Sequence, residues 1–470
     1  MMKINQKRRS KLRNFRRNLS SLIPQYWSSS QIFRGYYKDI LEAEYWSKEQ
    51  IHDFQFKNVF SIVAHAYNTV PFYHSYWNSE GFHPSDIKDL ADVCKIPFIT
   101  KEMVQSNSEE FISSEYKKSS LVAIYSGGST GVPATYYSEK CADSIERAFM
   151  YAQWHRIGYN VFKRNKIARL RGITPQFGNI EVLGNELILS SFFRNVDDLW
   201  EYVKALEKFN PDFIHAYPSI IFILANFLLK NSIDIKLPNL KSVLCGSENL
   251  YSYQRKTIET AFRTRVFSWY GHTERGCLAG ECESSSLFHI NPLYGYSEII
   301  NTAGENVLGQ NGKGELVVTS FGRLAMPLIR FKTEDIIIAT SKACSCKRKH
   351  QIFEGVEGRT QEYLITSKGL LIPGNVLLPY EIIGIFDNVL QYQFFQEQVG
   401  ECIFRIVTKQ EYTIDDENRI MNELKAELTE DMKILIEYVN EIPRTKSGKY
   451  MFLVTETKPW LSQIKSRQTS

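Results

Sequence analysis

The sequence has no run of about 18–20 apolar residues, the length a helix needs to cross a bilayer. Its longest apolar stretch, Ile220 to Leu229, is shorter, contains Asn226 and reads as a buried helix. The amino end lacks the apolar core of a signal peptide. Cysteine is sparse, eight in 470 residues, which excludes a disulfide scaffold. The expectation is a reduced, cytoplasmic chain. No fixed-period repeat and no low-complexity linker occurs. Also missing are a Walker A Gly-Lys-Ser/Thr, a dinucleotide G-x-G-x-x-G fingerprint and a serine nucleophile elbow. No acidic pair is isolated enough to argue a glycosidase.

Acidic residues are absent before Asp39, whereas Lys3, Lys7, Arg8, Arg9, Lys11, Arg13, Arg16 and Arg17 contribute +8. The whole chain carries +5, so everything else sums to −3. Residues 1–30 therefore read as a solvated basic arm. Such an arm can touch anionic lipid, which places peripheral contact with the inner face of a membrane among the expectations. Specific nucleic-acid binding is not expected, because nothing downstream supplies a matching basic and aromatic surface.

The composition, 43% hydrophobic, 23% charged and 13% aromatic, is that of a globular chain, and the length allows two to four domains. Residues 35–115 read mostly helical, with aromatic stripes (Tyr36, Tyr37, Tyr45, Trp46; Tyr73, Tyr76, Trp77) of the kind that fill cores. From about 120 to 340, short apolar β-rich runs alternate with amphipathic helices. The runs are Leu121–Tyr125, Lys241–Cys245, Val266–Tyr270 and Glu315–Thr319. One helix is expected over Leu199–Phe209, stopped by Asn210–Pro211. This alternation predicts an α/β fold. From about 360 a small α+β module follows, with strands near Gln391–Phe395 and Ile403–Thr408. Its helix starts near Ile414–Asp416, where the acids suit a helix N-terminus, and reaches about Leu428. The expected division is a basic arm (1–30), a large domain (31–359) and a small C-terminal domain (360–470).

Five short motifs carry chemistry. Tyr125-Ser-Gly-Gly-Ser-Thr-Gly-Val-Pro133 follows an apolar run. Its glycines let backbone approach a ligand, successive amides can cradle an anion, and Ser126, Ser129 and Thr130 add hydroxyls. Tyr270-Gly-His-Thr-Glu274 ends another run and offers a stacking ring beside a carboxylate fit for a hard cation. Arg330-Phe-Lys-Thr-Glu-Asp335 contains an acid able to accept both hydroxyls of a ribose. Gly358-Arg359-Thr-Gln-Glu362 and the basic turn Pro443-Arg-Thr-Lys-Ser-Gly-Lys449 complete the series. Taken singly, each also reads as an ordinary turn or strand end.

In this order they resemble the adenylate-forming enzyme superfamily. The segments Val70-Pro-Phe-Tyr73, Ile96-Pro-Phe-Ile-Thr-Lys101 and Cys245-Gly-Ser-Glu-Asn249 look like its phenylacetate–coenzyme A ligase branch, which includes relatives encoded with capsule and O-antigen genes. The resemblance covers about residues 60–455. It implies a large multi-subdomain adenylation domain and a mobile C-terminal domain hinged at Gln361. It further implies that Ser126, Gly127, Gly128, Ser129, Thr130 and Gly131 hold the ATP phosphates. Gly246, Ser247 and Glu248 border the adenine, and Tyr270 packs on it beside Gly271. Thr273 meets the AMP phosphate, Glu274 binds Mg2+, and Asp335 binds the ribose with help from Arg359. Lys449 bridges carboxylate and α-phosphate. His215 and Tyr217, in Phe213-Ile-His-Ala-Tyr-Pro218, line the acyl pocket; a satisfied core histidine is the alternative for His215. The sequence departs from the common pattern at Val132, Lys332, Glu334 and Gln361.

Cys282, His289, Cys344 and Cys346 have the composition of a closed structural zinc shell, with Cys277 and His350 as substitutes. Some members of the branch carry zinc in the matching region; buried free thiols are the alternative.

The resemblance implies ATP- and Mg2+-dependent activation of a carboxylic acid as its adenylate, then transfer to a thiol, coenzyme A. A second expectation sends the acyl group to an amino sugar or another acceptor in surface-polysaccharide synthesis. A third is a catalytically silent nucleotide-binding scaffold at the membrane.

Overall fold

The computed structural model describes residues 23–125, 134–171, 175, 178–190, 196–359, 363–367, 371–373, 388–427, 431–442, 451 and 453–455. It divides into a large unit, running for the most part to Val356, and a small one from Glu357 on, with which residues 334–336 also cluster.

The large unit starts with helices, as the aromatic stripes predict. α1 (Gln31–Ala43) is capped by Ser30. α2 (Lys48–Thr69) opens on a reciprocal capping box between Ser47 and Gln50. α3 (Pro71–Ser79) begins with proline at its first position, where the missing N–H costs nothing. β1 (Val122–Tyr125) and β2 (Thr135–Ser138) then form a separate two-stranded hairpin.

The remaining elements build one sheet. In chain order they are α4 (Ala142–His155), β3 (Ile167–Leu170), β4 (Ile180–Leu183), β5 (Glu186–Leu189), α5 (Val196–Phe209), β6 (Phe213–Ala216) and α6 (Pro218–Lys230). β7 (Ser242–Gly246), α7 (Ser252–Phe262), β8 (Val266–Gly271), β9 (Leu278–Gly280), β10 (Phe288–Ile290), β11 (Gly295–Ile300), β12 (Gly312–Ser320), β13 (Phe331–Ala339) and β14 (Ile352–Arg359) follow. Among the described residues twelve strands run in the order β11-β12-β13-β14-β10-β9-β8-β7-β6-β3-β5-β4. Five adjacent ones, β8, β7, β6, β3 and β5, are parallel, as βαβ connections require.

These parallel strands are buried on both faces. On one, Ala168, Leu170, Ile214, Ala216, Val243 and Cys245 pack under α5, α6 and α7. On the other, Ile167, Phe213, Leu244, Phe267 and Trp269 meet Tyr151 and Trp154 of α4 and Phe33 and Tyr37 of α1. α6 is apolar nearly all round and is the buried helix that Ile220–Leu229 predicts. A third core joins α2 and α3 to Ile299, Leu316, Val318, Phe331 and Phe353.

The two proline motifs explain how the helical segment grips this sheet. The Tyr73 hydroxyl donates to the Pro327 carbonyl (3.0 Å) and accepts the Ile329 N–H (3.0 Å). Ile99 bridges Phe331 through the Arg330 carbonyl (3.2 Å) and the Lys332 N–H (3.0 Å). Arg330, buried and at φ +49°, makes a two-pronged pair with Glu298 (3.0 and 2.9 Å). Its third nitrogen donates to the Cys94 and Ile96 carbonyls (2.7 and 2.8 Å). Arg330 is therefore a structural pin.

In the small unit β15 (Tyr363–Ile365) and β16 (Leu371–Pro373) form a hairpin. β17 (Val389–Gln396), β18 (Glu401–Thr408), β19 (Lys433–Tyr438) and β20 (Leu453–Thr455) form a sheet in the order β19-β18-β17-β20. α8 (Ile414–Glu427) follows β18, and its first turn is fixed by the Asp416 carboxylate, which accepts from the N–H and hydroxyl of Thr413 (2.9 and 3.0 Å). The strands and helix expected in this region are present.

Candidate functional site

The C-terminal ends of parallel strands are where open α/β sheets bind ligands. β7 delivers Gly246, Ser247 and Glu248 there, and β8 delivers Tyr270 and Gly271. Gly246 lies under the Trp269 indole; a Cβ at this position would stand 2.5 Å from Trp269 Cε2, so only glycine fits. Ser247 turns the chain at φ +70°, a conformation that strains a non-glycine residue. Its hydroxyl accepts from Arg171 Nη2 (3.0 Å). Glu248 accepts the Ser219 N–H at the start of α6 (3.1 Å). Tyr270 is half-buried, its ring 5.7 Å from that of His272 and 6.2 Å from that of Phe353.

Glu274 is the best-braced acid of the set. It is 9% exposed. The Cys277 N–H donates to His272 Nε2 (3.1 Å), so the imidazole proton sits on Nδ1. Nδ1–H then donates to Glu274 Oε2 (3.1 Å). The neutral ring thus orients the carboxylate in the way that partners of metal-ligating carboxylates do. Sequence reasoning missed a second brace. Arg323, 2% exposed, donates to the backbone carbonyls of Thr273 (3.4 Å), Glu274 (2.9 Å) and Tyr137 (3.2 Å). It gathers the turn after β8 and the β1–β2 hairpin on one guanidinium. No motif marked it; its role depends on burial that composition does not reveal.

His215 and Tyr217 belong to a basic cluster at the ends of β3 and β6. Arg169 Nη1 lies 3.1 Å from His215 Nδ1, and Arg171 Nη1 contacts His215 Nε2. The ring packs between Trp154 and Trp269, centroids 5.1 and 5.3 Å away. Burial first, then Arg171 and Arg169, hold His215 well below the ordinary histidine range, so it is neutral. Tyr217 carries the Arg171 guanidinium over its ring (5.3 Å).

Asp335 is buried on β13, and Arg359 ends β14. Ser126, Gly127, Gly128, Ser129, Thr130, Gly131, Gln361 and Lys449 lie outside the described residues.

The four expected soft ligands come together. The ligand atoms of Cys282, His289, Cys344 and Cys346 lie within 4.8 Å of one another. Cys282 Sγ and Cys344 Sγ are 3.5 Å apart, and Cys346 Sγ is 3.7 Å from His289 Nε2. A tetrahedral zinc with Zn–S of about 2.3 Å and Zn–N of about 2.0–2.1 Å needs edges of about 3.6–3.8 Å. All four residues are buried or half-buried and no disulfide joins them. Burial pushes the Cys346 thiol up to about 11. Against the same burial, hydrogen bonds led by His289 for Cys282 and by Ser285 for Cys344 bring those two thiols below the ordinary value. The substitutes stand outside this set: the cluster holds neither Cys277 nor His350, whose ring is 6.1 Å from that of His289.

Residues 364–456 match the family model of the CapK C-terminal domain. Over 383 residues the chain is 27% identical to Protein CapK of Staphylococcus aureus, covering 78% of this chain and 81% of that protein. Over 438 residues it is 23% identical to a phenylacetate–coenzyme A ligase of Thermus thermophilus, covering 87% and 97% respectively. The solved structure of 2-hydroxyisobutyryl-CoA ligase in its postadenylation state aligns with TM-score 0.66 at 15% identity, over 91% of this chain and 94% of that one. That last likeness is one of fold. By sequence the chain is similar to the phenylacetate–coenzyme A ligase-like branch of the adenylate-forming enzymes and to CapK, and its fold is that of a solved CoA ligase.

Proposed function

We propose that the protein is an ATP-dependent ligase that activates a carboxylic acid as its acyl-adenylate and passes the acyl group to the thiol of coenzyme A. The observation that carries this reading is the similarity to the Thermus thermophilus ligase, which extends over 87% of this chain and 97% of that enzyme.

The chemistry joins two anions, a carboxylate and a phosphate, so the protein's task is to neutralise and align them. Ser126–Gly131 would cradle the phosphates, with Thr130 donating a hydroxyl. Gly246, Ser247 and Glu248 would border the adenine, and Tyr270 would stack on it. Thr273 would contact the α-phosphate, while Asp335 and Arg359 would bind the ribose. Glu274, a hard oxygen donor steered by His272, suits Mg2+. When bound, that ion offsets charge on the phosphates as pyrophosphate leaves. Lys449 would bridge the carboxylate and α-phosphate, brought in and out by a lid that turns at Gln361 and shields the adenylate from water. His215 and Tyr217 would line the acyl side.

Zinc is proposed at Cys282, His289, Cys344 and Cys346. Four protein ligands leave no open position, so its work there is to pin the strands after Glu274.

A second reading rests on the resemblance to relatives encoded with capsule and O-antigen genes and sends the acyl group to an amino sugar or another acceptor in surface-polysaccharide synthesis. Peripheral membrane attachment is supported by the basic arm and by the exposure of Ile23, Trp27 and Phe162. No helix among the described residues is long and apolar enough to cross a membrane.

The test is carboxylate-dependent exchange of pyrophosphate into ATP over a panel of aryl, fatty and amino acids. Exchange that depends on the acid and disappears in Lys449→Ala supports the reading. Its absence with every acid favours the silent scaffold. Thiol-dependent release of AMP separates coenzyme A from a sugar acceptor.

A further inference from the structure

The basic cluster at the ends of β3 and β6 has more positive charge than the protein supplies with partners. Arg169 and His215 are in register on neighbouring parallel strands and point to the same face. Arg169 is neutralised: its Nε and Nη2 donate to Glu186 Oε1 (3.1 and 2.7 Å). Arg171 is not. Its contacts are the His215 ring, the Ser247 hydroxyl and the face of Tyr217. Among the described residues no carboxylate lies within 4 Å of its guanidinium. The charge of Glu248 acts on it electrostatically.

Hydrogen-bond arithmetic sharpens the point. A neutral imidazole has one acceptor nitrogen. Two guanidiniums face the two ring nitrogens of His215, so one of these contacts sets N–H against N–H. Counting groups in direct contact, the cluster therefore holds two cations to one anion, and more donors than acceptors. Arg171 is half-buried, so part of its charge is left with neither water nor an adjoining carboxylate. A ligand oxyanion would relieve the excess charge and the surplus donors together. The cluster also lies where such a ligand would arrive, since Arg171 directly follows β3 and Ser247 directly follows β7.

Resting on the reading that the protein activates a carboxylic acid, we propose that Arg171, supported by Ser247 and Tyr217, binds a second anionic group of that acid, a carboxylate or a phosphate remote from the carboxylate being activated. The substrate is thus a dianion. A simple aryl or fatty acid would leave Arg171 uncompensated.

Pyrophosphate exchange tests this with paired acids that differ only in the remote charge: succinate, glutarate and isophthalate with their monomethyl esters, and a phosphorylated hydroxy acid with its parent. For the wild-type protein the charged member of at least one pair should have a kcat/KM about 30-fold or more above its partner, the lower range for a desolvated charge pair. Arg171→Met should abolish that ratio, leaving the uncharged member within about threefold and the KM for ATP unchanged. Arg171→Lys, which keeps charge but not the fork, should restore part of it. The proposal is overturned if the wild-type protein shows no preference for the remote charge, or if Arg171→Met lowers both members equally. It is also overturned if Arg171→Met raises the KM for ATP, which would assign the arginine to the nucleotide. Exchange with uncharged members alone leaves acid activation standing and ends this proposal. Exchange with no acid at all ends both.

Discussion

Replacing His272 separates its two hydrogen bonds. Nε2 accepts from the Cys277 backbone, and Nδ1–H donates to Glu274. In His272→Asn the amide nitrogen falls near the place of Nδ1, so the donor to Glu274 is kept and the acceptor for Cys277 is lost. In His272→Gln the amide reaches the place of Nε2, so the reverse holds. A hydrogen bond to a charged acceptor contributes about 1.5–3 kcal/mol, and the imidazole is only 3% exposed, so little solvent screens it. Expressed fully in the transition state, that is about 10- to 150-fold in kcat/KM. His272→Gln should lose activity in this range and need more Mg2+ for half-maximal exchange. His272→Asn should stay within about fivefold of wild type, with a lower melting temperature from the orphaned Cys277 N–H. Pyrophosphate exchange titrated with Mg2+ decides it. Equal losses in the two variants, or an unchanged Mg2+ requirement in His272→Gln, would refute the idea that the ring acts by steering Glu274.

Arg330→Met should destabilise the large unit by about 3–5 kcal/mol in urea unfolding, because Glu298 is left charged and buried. Cys344→Ser should lower zinc content below one per chain by elemental analysis and reduce thermal stability, while exchange by the surviving folded fraction continues. Acid should loosen the protein through Glu44. Burial raises its pKa, but Arg156, His350 and Arg348 outweigh that and bring it down to about 2. A carboxyl whose native pKa is depressed contributes stability above its ordinary value of 4.5, which is lost as pH falls from there toward 2. Unfolding followed from pH 6 to pH 3 should show that slope in the wild type and a reduced slope in Glu44→Gln.

The α/β architecture was legible because its parallel strands are short apolar runs between helices with distinct stops, such as Asn210–Pro211 after α5. Period and punctuation are local properties. The joining of twelve strands into one sheet was not legible, since pairing between β10 and β14 depends on residues more than sixty apart in sequence. Among candidate site residues, Glu274 and the Cys/His set showed themselves by residue type and spacing. Arg323 and Arg171 did not, because a buried arginine looks like a surface one until the fold removes its water. The motif Arg330–Asp335 begins with a structural residue. Its first residue holds the helical segment, which spacing alone could not distinguish from ligand binding.

The grip of Tyr73 on the stretch that follows Arg323 has a consequence for mutational screens. Tyr73 contacts Pro327 and Ile329, and Arg323, a few residues upstream, carries the backbone of Thr273 and Glu274. A hydroxyl on the third helix thus sets the tension of a tether that ends beside the acid at position 274. Libraries ranked by turnover should recover Tyr73→Phe among the slow variants, although phenylalanine fills the same space and the change lies two hundred residues from the chemistry in sequence.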